Sequence, residues 1–322
     1  DQWHGMSRTG TLARLYGSAP EPRLAMNVHD LARRGFKDGD LVRVQSRRGA
    51  IYVAAEGSES MRSGQVYLAM HWGKRFLGGA ESAGVNTLTN PAFDNFSRQP
   101  ELKHAAVKVV AAALSWHMIA FRECKDDENT LLDALGALQT DVAFMSCVLI
   151  GRDRPGVLVR VAHHGAPSAD WLSRLDSVMA LDGANVLRYD DPRRGSARRI
   201  LVADNRLIAT RLSGDLAATK SGEWLRAWLL SGKPVAEIRR LLLSPIAEAP
   251  IGMPPASRAV CQCLDVSEAA ICAELSLSAG SGDERLDALK TTLKCGTECG
   301  SCLPELKSLI RKTPTTLQVE AA

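Results

Sequence analysis

The stretch NVHDLARRGFKDGDLVRVQSRRGAIYVAA, residues 27–55, carries a helix, two turns and two strands in one short span. Asn27 is a helix N-cap residue, and Asp30 three positions on supplies the acidic half of a capping box. The helix it predicts runs over residues 31–34. Gly35 then adopts the left-handed conformation that ends helices. Lys37-Asp38-Gly39-Asp40 is a turn, and residues 41–46 alternate apolar and polar side chains as a half-buried strand does. Arg47-Arg48-Gly49 turns the chain into a partner strand over 50–55. Ser63-Gly64 introduces another over 65–70. Several short strands with glycine turns and one small helix predict a closed barrel rather than a parallel sheet.

Composition sets the outer limits. At 322 residues the chain has room for two or three domains, and 45% apolar content is that of a globular protein. A net charge of +4 on 40 basic and 36 acidic residues is too small to argue for nucleic acid or an anionic membrane as partner. No apolar run approaches the roughly 18–20 residues needed to span a bilayer. Cys124, Cys147 and Cys272 read as free thiols, which suits a reducing, cytoplasmic compartment. The chain begins at Asp1 on what reads as mid-domain sequence, so a C-terminal portion of a longer polypeptide is expected.

Six of the eight cysteines fall between residues 261 and 302, five of them, all but Cys272, in tightly spaced groups. Cys261-Gln262-Cys263 places two sulfurs on one face of an extended segment, because side chains repeat every two residues. In Cys299-Gly300-Ser301-Cys302 the glycine lets the chain turn back so that both thiolates meet one centre. Cys261, Cys263, Cys299 and Cys302 form the expected four-thiolate set, with Cys295 as a neighbour that substitutes or packs. Disulfides fit poorly in a chain large enough to bury an ordinary core. Structural zinc fits less well than iron–sulfur, because zinc modules present two C-x2–4-C knuckles and the C-x-C half departs from that pattern.

The string CQCLDV at 261–266 with LKCGTECGSCLPEL at 293–306 closely resembles the bacterioferritin-associated-ferredoxin type of 2Fe-2S domain. The resemblance spans roughly residues 258–312, and that helical module recurs at the ends of nitrite and nitrate reductases. Four further blocks carry a second resemblance: QWHGMSRTG at 2–10, NVHDLARRGFKDGDLVRVQSRRG at 27–49, MHWG at 70–73, and NTLTNPAFDNFSRQPELKHAAVKV at 86–109. In this order they are similar to the C-terminal cofactor-binding domain of the bacterial molybdopterin oxidoreductases, and within that family to the assimilatory nitrate reductases. The resemblance implies a multidomain α+β chain whose residues 1–115 are a double-psi β-barrel holding Mo-bis(molybdopterin guanine dinucleotide).

It implies roles by position. Trp3, His4, Ser7, Arg8 and Thr9 wrap the pterin and phosphates; Asn86 bonds a pterin or guanine edge; Lys103, with Arg98, meets a phosphate or pterin oxygen. Lys and Arg are the donors that a ligand with two pyrophosphates requires. Gly5 departs from the family's usual threonine, so Ser7 takes the hydroxyl role.

Between these ends, residues 116–150 read as a linker around the charged run at 125–129, with a short helix over 131–138. Residues 151–250 read as an α+β middle unit. Its expected parts are a strand at 157–161, a Ser168-capped helix over 171–181, a hairpin at 199–212 turning at Asp204-Asn205, and amphipathic helices at 224–230 and 235–243. The piece RRILVADNRLIATRLSGD…EWLRAWLLSG, from 198 to 232, resembles a small segment that follows the flavoprotein domains of nitrite reductase large subunits. His163-His164 reads as a loop pair without metal partners. Arg188, Arg193, Arg194, Arg198 and Arg199 form a candidate docking face for an acidic partner. Pro- and Gly-rich residues 245–255 lead to the iron–sulfur unit at 256–313, where Ser267 caps one helix, a second covers 283–293 and Pro304 opens the last; 314–322 is tail.

The resemblances together imply reduction of nitrate to nitrite by the complete enzyme. Electrons from an NAD(P)H flavoprotein or a ferredoxin enter at the 2Fe-2S cluster and cross a 4Fe-4S cluster bound outside these residues. The chain alone lacks that cluster's ligands and a metal-binding cysteine, so it is expected to be inactive with nitrate. A stand-alone electron-transfer or cofactor-holding module, and another molybdopterin oxidoreductase such as formate dehydrogenase, are the alternatives.

Overall fold

The computed structural model describes residues 13, 19–70, 72–101, 103–125, 127–244, 248–250 and 257–314. The positions 3–9 and His71 lie outside them. The chain divides into two compact units, one built mainly on Pro20–Ile251 and one on Gly252–Ala322.

The first unit holds two sheets. Strands β1 (Arg23–Asn27), β2 (Leu41–Gln45), β3 (Ala50–Ser58), β4 (Val66–Leu68) and β7 (Lys108–Ala111) form a five-stranded sheet in the order β4-β1-β3-β2-β7. Pairing is antiparallel except for β1 with β3. The buried side chains of β1 to β3 follow the expected two-residue alternation: Leu24 and Met26, Val42 and Val44, Ile51, Val53 and Ala55. Helix α1 (Val28–Arg33) is capped by Asn27, whose carboxamide oxygen accepts from the backbones of His29 and Asp30, and Gly35 (φ +74°) ends it. The expected capping box does not form. The Asp30 carboxylate instead accepts from Gly64 N at 2.6 Å and Ser63 Oγ at 2.9 Å, joining α1 to the β3–β4 turn.

The barrel expectation is overturned: no sheet among the described residues closes on itself. Closure requires both edges to find hydrogen-bond partners. Here β4 and β7 are edges, each paired on one side. Strands β5 (Gly73–Gly79) and β6 (Ser82–Gly84), which a barrel would need, belong to a different sheet. A Cβ at Gly79 would lie 2.1 Å from Ala143 O, so only glycine lets β5 approach so closely.

That second sheet adds β8 (Trp116–Glu123), β9 (Phe144–Ile150), β10 (Gly156–His163), β11 (Leu187–Asp191), β12 (Ser196–Ala203) and β13 (Arg206–Gly214). Its order is β11-β12-β13-β8-β10-β9-β5-β6. Residues 116–150, expected as a linker, therefore supply two central strands and helix α2 (Glu128–Gly136). Every residue of β9 is buried, and a strand covered on both faces loses the alternation that betrays strands. Helix α3 (Ala169–Val178) starts at Ser168, whose hydroxyl accepts from Trp171 N. Asp204 and Asn205, both at positive φ, form the β12–β13 turn as expected. The short α4 (Leu216–Thr219) precedes α5 (Gly222–Ser231), which packs on β8 and β13. Residues 235–243 are not an α-helix. Val235 N is tied to Asn205 O, and the segment continues in three-residue turns that still bury Val235, Ile238 and Leu242.

The second unit pairs β14 (Ala259–Cys261) with β15 (Val266–Ser267), followed by helices α6 (Glu268–Leu277), α7 (Gly282–Thr292) and α8 (Leu303–Lys312). Ser267 caps α6, Ser281 and Glu284 form a full capping box on α7, and Pro304 lies in the first turn of α8. Buried Arg285 donates to Leu275 O, Ile310 O and Thr313 O, satisfying carbonyls at the ends of α6 and α8.

Candidate functional site

Each unit carries one candidate site. In the first, the β2–β3 turn is pressed against the 3-10 turn Val85–Leu88: a Cβ at Gly49 would meet Thr87 Cγ2 at 2.7 Å. This approach brings Arg48 beside Asn86. The loop that follows is held by its own polar groups. Asp94 Oδ1 accepts from Phe96 N, Ser97 N and Ser97 Oγ, which keeps the Asp94 carboxyl below the ordinary range. Asp94 O accepts from Arg98 N, and Ala92 O from Glu101 N. The turn sets Arg98 in the left-handed region (φ +58°) with its guanidinium over the Phe93 ring at 5.2 Å.

The result is an open cavity of about 580 Å³ lined by Arg48, Asn86, Thr89, Asn90, Phe93 and Arg98 among others. Among the described residues, two guanidinium groups and no carboxylate line it. Amide and hydroxyl groups offer donors and acceptors to a heteroaromatic edge, and the arginines offer forked donors to phosphate. Of the residues expected here, Asn86 and Arg98 come together. Lys103 is exposed, absent from the lining, with its backbone N–H on Glu101 Oε1 at 3.2 Å. Trp3, His4, Ser7, Arg8 and Thr9 lie outside the described residues. Arg48 was not singled out from sequence; its only signal was the Arg47-Arg48-Gly49 turn.

The second site is the thiol cluster. Cys261 Sγ lies 3.7 Å from Cys263 Sγ, and Cys299 Sγ lies 3.6 Å from Cys263 Sγ. Cys261 also contacts the Cys302 and Cys295 thiols. Cys261, Cys295 and Cys302 are buried, Cys263 is half-buried and Cys299 is exposed. Backbone N–H groups converge on the sulfurs: Gly296 and Leu264 donate to Cys261, and Cys299 to Cys263. Burial raises the Cys261 thiol, yet these hydrogen bonds outweigh it and hold it below the ordinary range. The Ser301 hydroxyl, 3.1 Å from Cys299 Sγ, is the main cause lowering Cys299. Burial pushes Cys295 up to about 12 and Cys302 to about 11. No group of three or more His, Cys, Asp or Glu side chains among the described residues is arranged to hold a metal ion. The thiols are linked in a chain of contacts, Cys299 to Cys263 to Cys261, with Cys302 and Cys295 against Cys261. An all-sulfur donor set with inward N–H groups fits iron–sulfur ligation, in which each iron of a binuclear cluster takes two thiolates.

The five arginines are not all free at the surface: Arg193 and Arg194 are exposed, and the other three are engaged. Arg198 is buried, donating to Ser221 Oγ at 2.9 Å; Arg199 pairs with Asp190 at 2.8 Å; Arg188 donates to carbonyls of 181–183. His163 Nδ1 accepts from Ala143 N at 3.0 Å, so that histidine ends β10 in a structural role. No helix among the described residues is long and apolar enough to cross a membrane.

Residues 1–106 match the family described as molydopterin dinucleotide binding domain. The nitrate reductase of Klebsiella oxytoca is 28% identical over 311 residues, covering 96% of this chain and 32% of the relative. That of Shewanella frigidimarina is 22% identical, covering 97% of this chain and 33% of the relative. The F420-dependent formate dehydrogenase subunit alpha of Methanocaldococcus jannaschii is 36% identical over 105 residues, 31% of this chain and 14% of the relative. The chain thus spans about a third of the length of the nitrate reductases it matches. Residues 1–106 are thus similar to a molydopterin dinucleotide binding domain, and the chain is similar to parts of nitrate reductases and of a formate dehydrogenase subunit.

Proposed function

We propose that this chain belongs to the molybdopterin oxidoreductases and serves assimilatory reduction of nitrate to nitrite. It does so by holding part of Mo-bis(molybdopterin guanine dinucleotide) and by admitting electrons through a 2Fe-2S cluster near its C-terminus. One observation carries the choice of nitrate: likeness to a nitrate reductase runs over 96% of the chain, cysteine segment included, whereas the formate dehydrogenase likeness covers 31%. The chemistry the molybdenum cofactor supplies when bound is oxygen-atom transfer from nitrate, with two electrons and two protons releasing water. The chain's residues bind and orient. Arg98 and Arg48 clamp phosphate, Asn86 and Asn90 read a pterin or guanine edge, and Phe93 fixes the Arg98 plane. Trp3, His4, Ser7, Arg8, Thr9 and Lys103 are assigned to the same ligand. Cys261, Cys263, Cys299 and Cys302 hold the cluster that takes electrons from a flavoprotein or ferredoxin.

Because these 322 residues alone are expected to be inactive with nitrate, the test uses molybdenum-loaded protein of the relatives' length that contains them. Nitrite formation from nitrate with reduced viologen supports it; formate oxidation without nitrite formation overturns it. With GDP as a probe of the pocket, Arg98→Ala is expected to weaken binding about tenfold or more by calorimetry, the loss of one charge-assisted donor fork. Equal affinity in both proteins would remove Arg98 from the site. Ser301→Ala is expected to lower the cluster's reduction potential by on the order of tens of millivolts, because a hydrogen bond to a ligand sulfur favours the more negative reduced state. A redox titration that shows no shift at unchanged iron content would detach Ser301 from that role.

A further inference from the structure

Of the six thiols of the second unit, five gather at one place and divide unequally. Cys263 and Cys299 face outward, 3.6 Å apart, while Cys261, Cys295 and Cys302 are buried together. Cys261 is the common neighbour: its sulfur contacts those of Cys302 and Cys295 alike. Two features hold Cys295 in this position. Its side chain belongs to the buried cluster formed by Ile271, Leu275, Leu289 and Leu306. The next residue, Gly296 (φ +81°), lies so close to α8 that a Cβ would meet Leu303 Cδ2 at 2.7 Å. The Gly296 N–H donates to both Cys261 and Cys302, so the loop bearing Cys295 wraps the inner sulfurs.

We propose that Cys295 is a reserve ligand on the buried side of the cluster, able to replace Cys302 but not Cys263 or Cys299. This rests on the reading that the thiols bind an iron–sulfur cluster. In the exchange, the iron–sulfur bond that Cys302 makes forms instead to Cys295 Sγ, and the Cys295 thiol proton leaves to solvent. No electron is transferred.

The test uses the 322-residue chain, reconstituted anaerobically with ferrous iron and sulfide. Iron and sulfide per chain are measured with the EPR spectrum of the reduced form. Cys302→Ala is expected to keep iron and sulfide within about twofold of the unsubstituted chain with shifted g values, while Cys295→Ala/Cys302→Ala falls about tenfold or more. Cys299→Ala is expected to lose the cluster although Cys295 is present. Cys295→Ala alone is expected to keep the cluster with an unchanged spectrum. Loss of iron in Cys302→Ala to the level of the double variant overturns the proposal, provided both share the circular dichroism of the iron-free parent. If Cys302→Ala does not fold, Cys302→Ser in place of it, alone and with Cys295→Ala, gives the same comparison. Loss in Cys295→Ala alone also overturns it, by making Cys295 an ordinary ligand. An unsubstituted chain that binds no iron and sulfide instead overturns the cluster reading beneath it.

Discussion

Replacing Glu21 by glutamine is expected to destabilise the first unit by about 3–5 kcal/mol, the cost of removing one partner from a buried ion network. Glu21, 7% exposed, precedes β1 of the five-stranded sheet. Its carboxylate accepts from Arg160 on β10 of the other sheet and, at 3.2 Å, from Arg226 on α5. Arg160 also donates to Glu223 at 2.6 Å. The network therefore ties the start of one sheet to the middle of the other. Burial alone would raise the Glu21 carboxyl, but Arg160 and then Arg226 and Arg23 hold it at about 2 instead of 4.5. A depressed carboxyl stabilises the folded state fully above the unfolded value, and that contribution is lost as pH falls from about 4.5 toward 2. Urea midpoints measured from pH 7 down to pH 3 check both statements. The parent's midpoint is expected to fall across the acid range and that of Glu21→Gln to fall less. Glu21→Leu/Arg160→Met is expected to recover part of the loss at pH 7, since it removes one charge of each sign and leaves Arg226 paired with Glu223 at 3.0 Å, with only the part-exposed Arg23 losing a partner. Coincident midpoints for parent and Glu21→Gln would show that Arg160 is satisfied by Glu223 alone.

Cys263→Ala is expected to abolish cluster binding, lowering iron and sulfide by tenfold or more at roughly the level expected for loss of an irreplaceable ligand. Cys263 is the thiol that joins the buried and exposed sulfurs, 3.7 Å from Cys261 and 3.6 Å from Cys299. Cys295, the spare thiol, sits on the buried side with Cys261 and Cys302. Retention of two irons per chain in Cys263→Ala would mean that the C-x-C pair is not a ligand pair. Binding of zinc without iron by the parent would remove the electron-transfer role altogether.

Local chemistry was legible in the amino-acid sequence wherever a few neighbouring residues decide the outcome. Asn27, Ser168 and Ser267 cap the helices they were expected to cap, because a side-chain oxygen two or three residues from an orphan N–H needs no distant partner. Asp204-Asn205 turns its hairpin for the same reason. Cys261 and Cys263 stand with their sulfurs 3.7 Å apart, close as expected, although the segment is not extended: β14 ends at Cys261 and Cys263 lies in the turn that follows. Asn86 and Arg98 were found through resemblance, and the fold brings them to one cavity.

Pairing between distant segments was not legible. The barrel expectation failed because β5 bonds to β9, with Leu77 opposite Ser146, instead of returning to its own sheet. Nothing in the local alternation of β5 specifies which edge it joins. Asp30 had a helix N-terminus within reach and bonded Gly64 and Ser63, contacts 34 and 33 residues away. Arg198 carries a charge that composition places on the surface, yet its side chain turns inward to Ser221. Sequence alone thus determined caps and turns, each governed by neighbours along the chain. Tertiary structure alone decided the open sheets, the place of Arg48 beside Asn86, the approach of Cys299 to Cys263 across 36 residues, and the burial of Cys295 beside Cys261, because each depends on which surfaces meet.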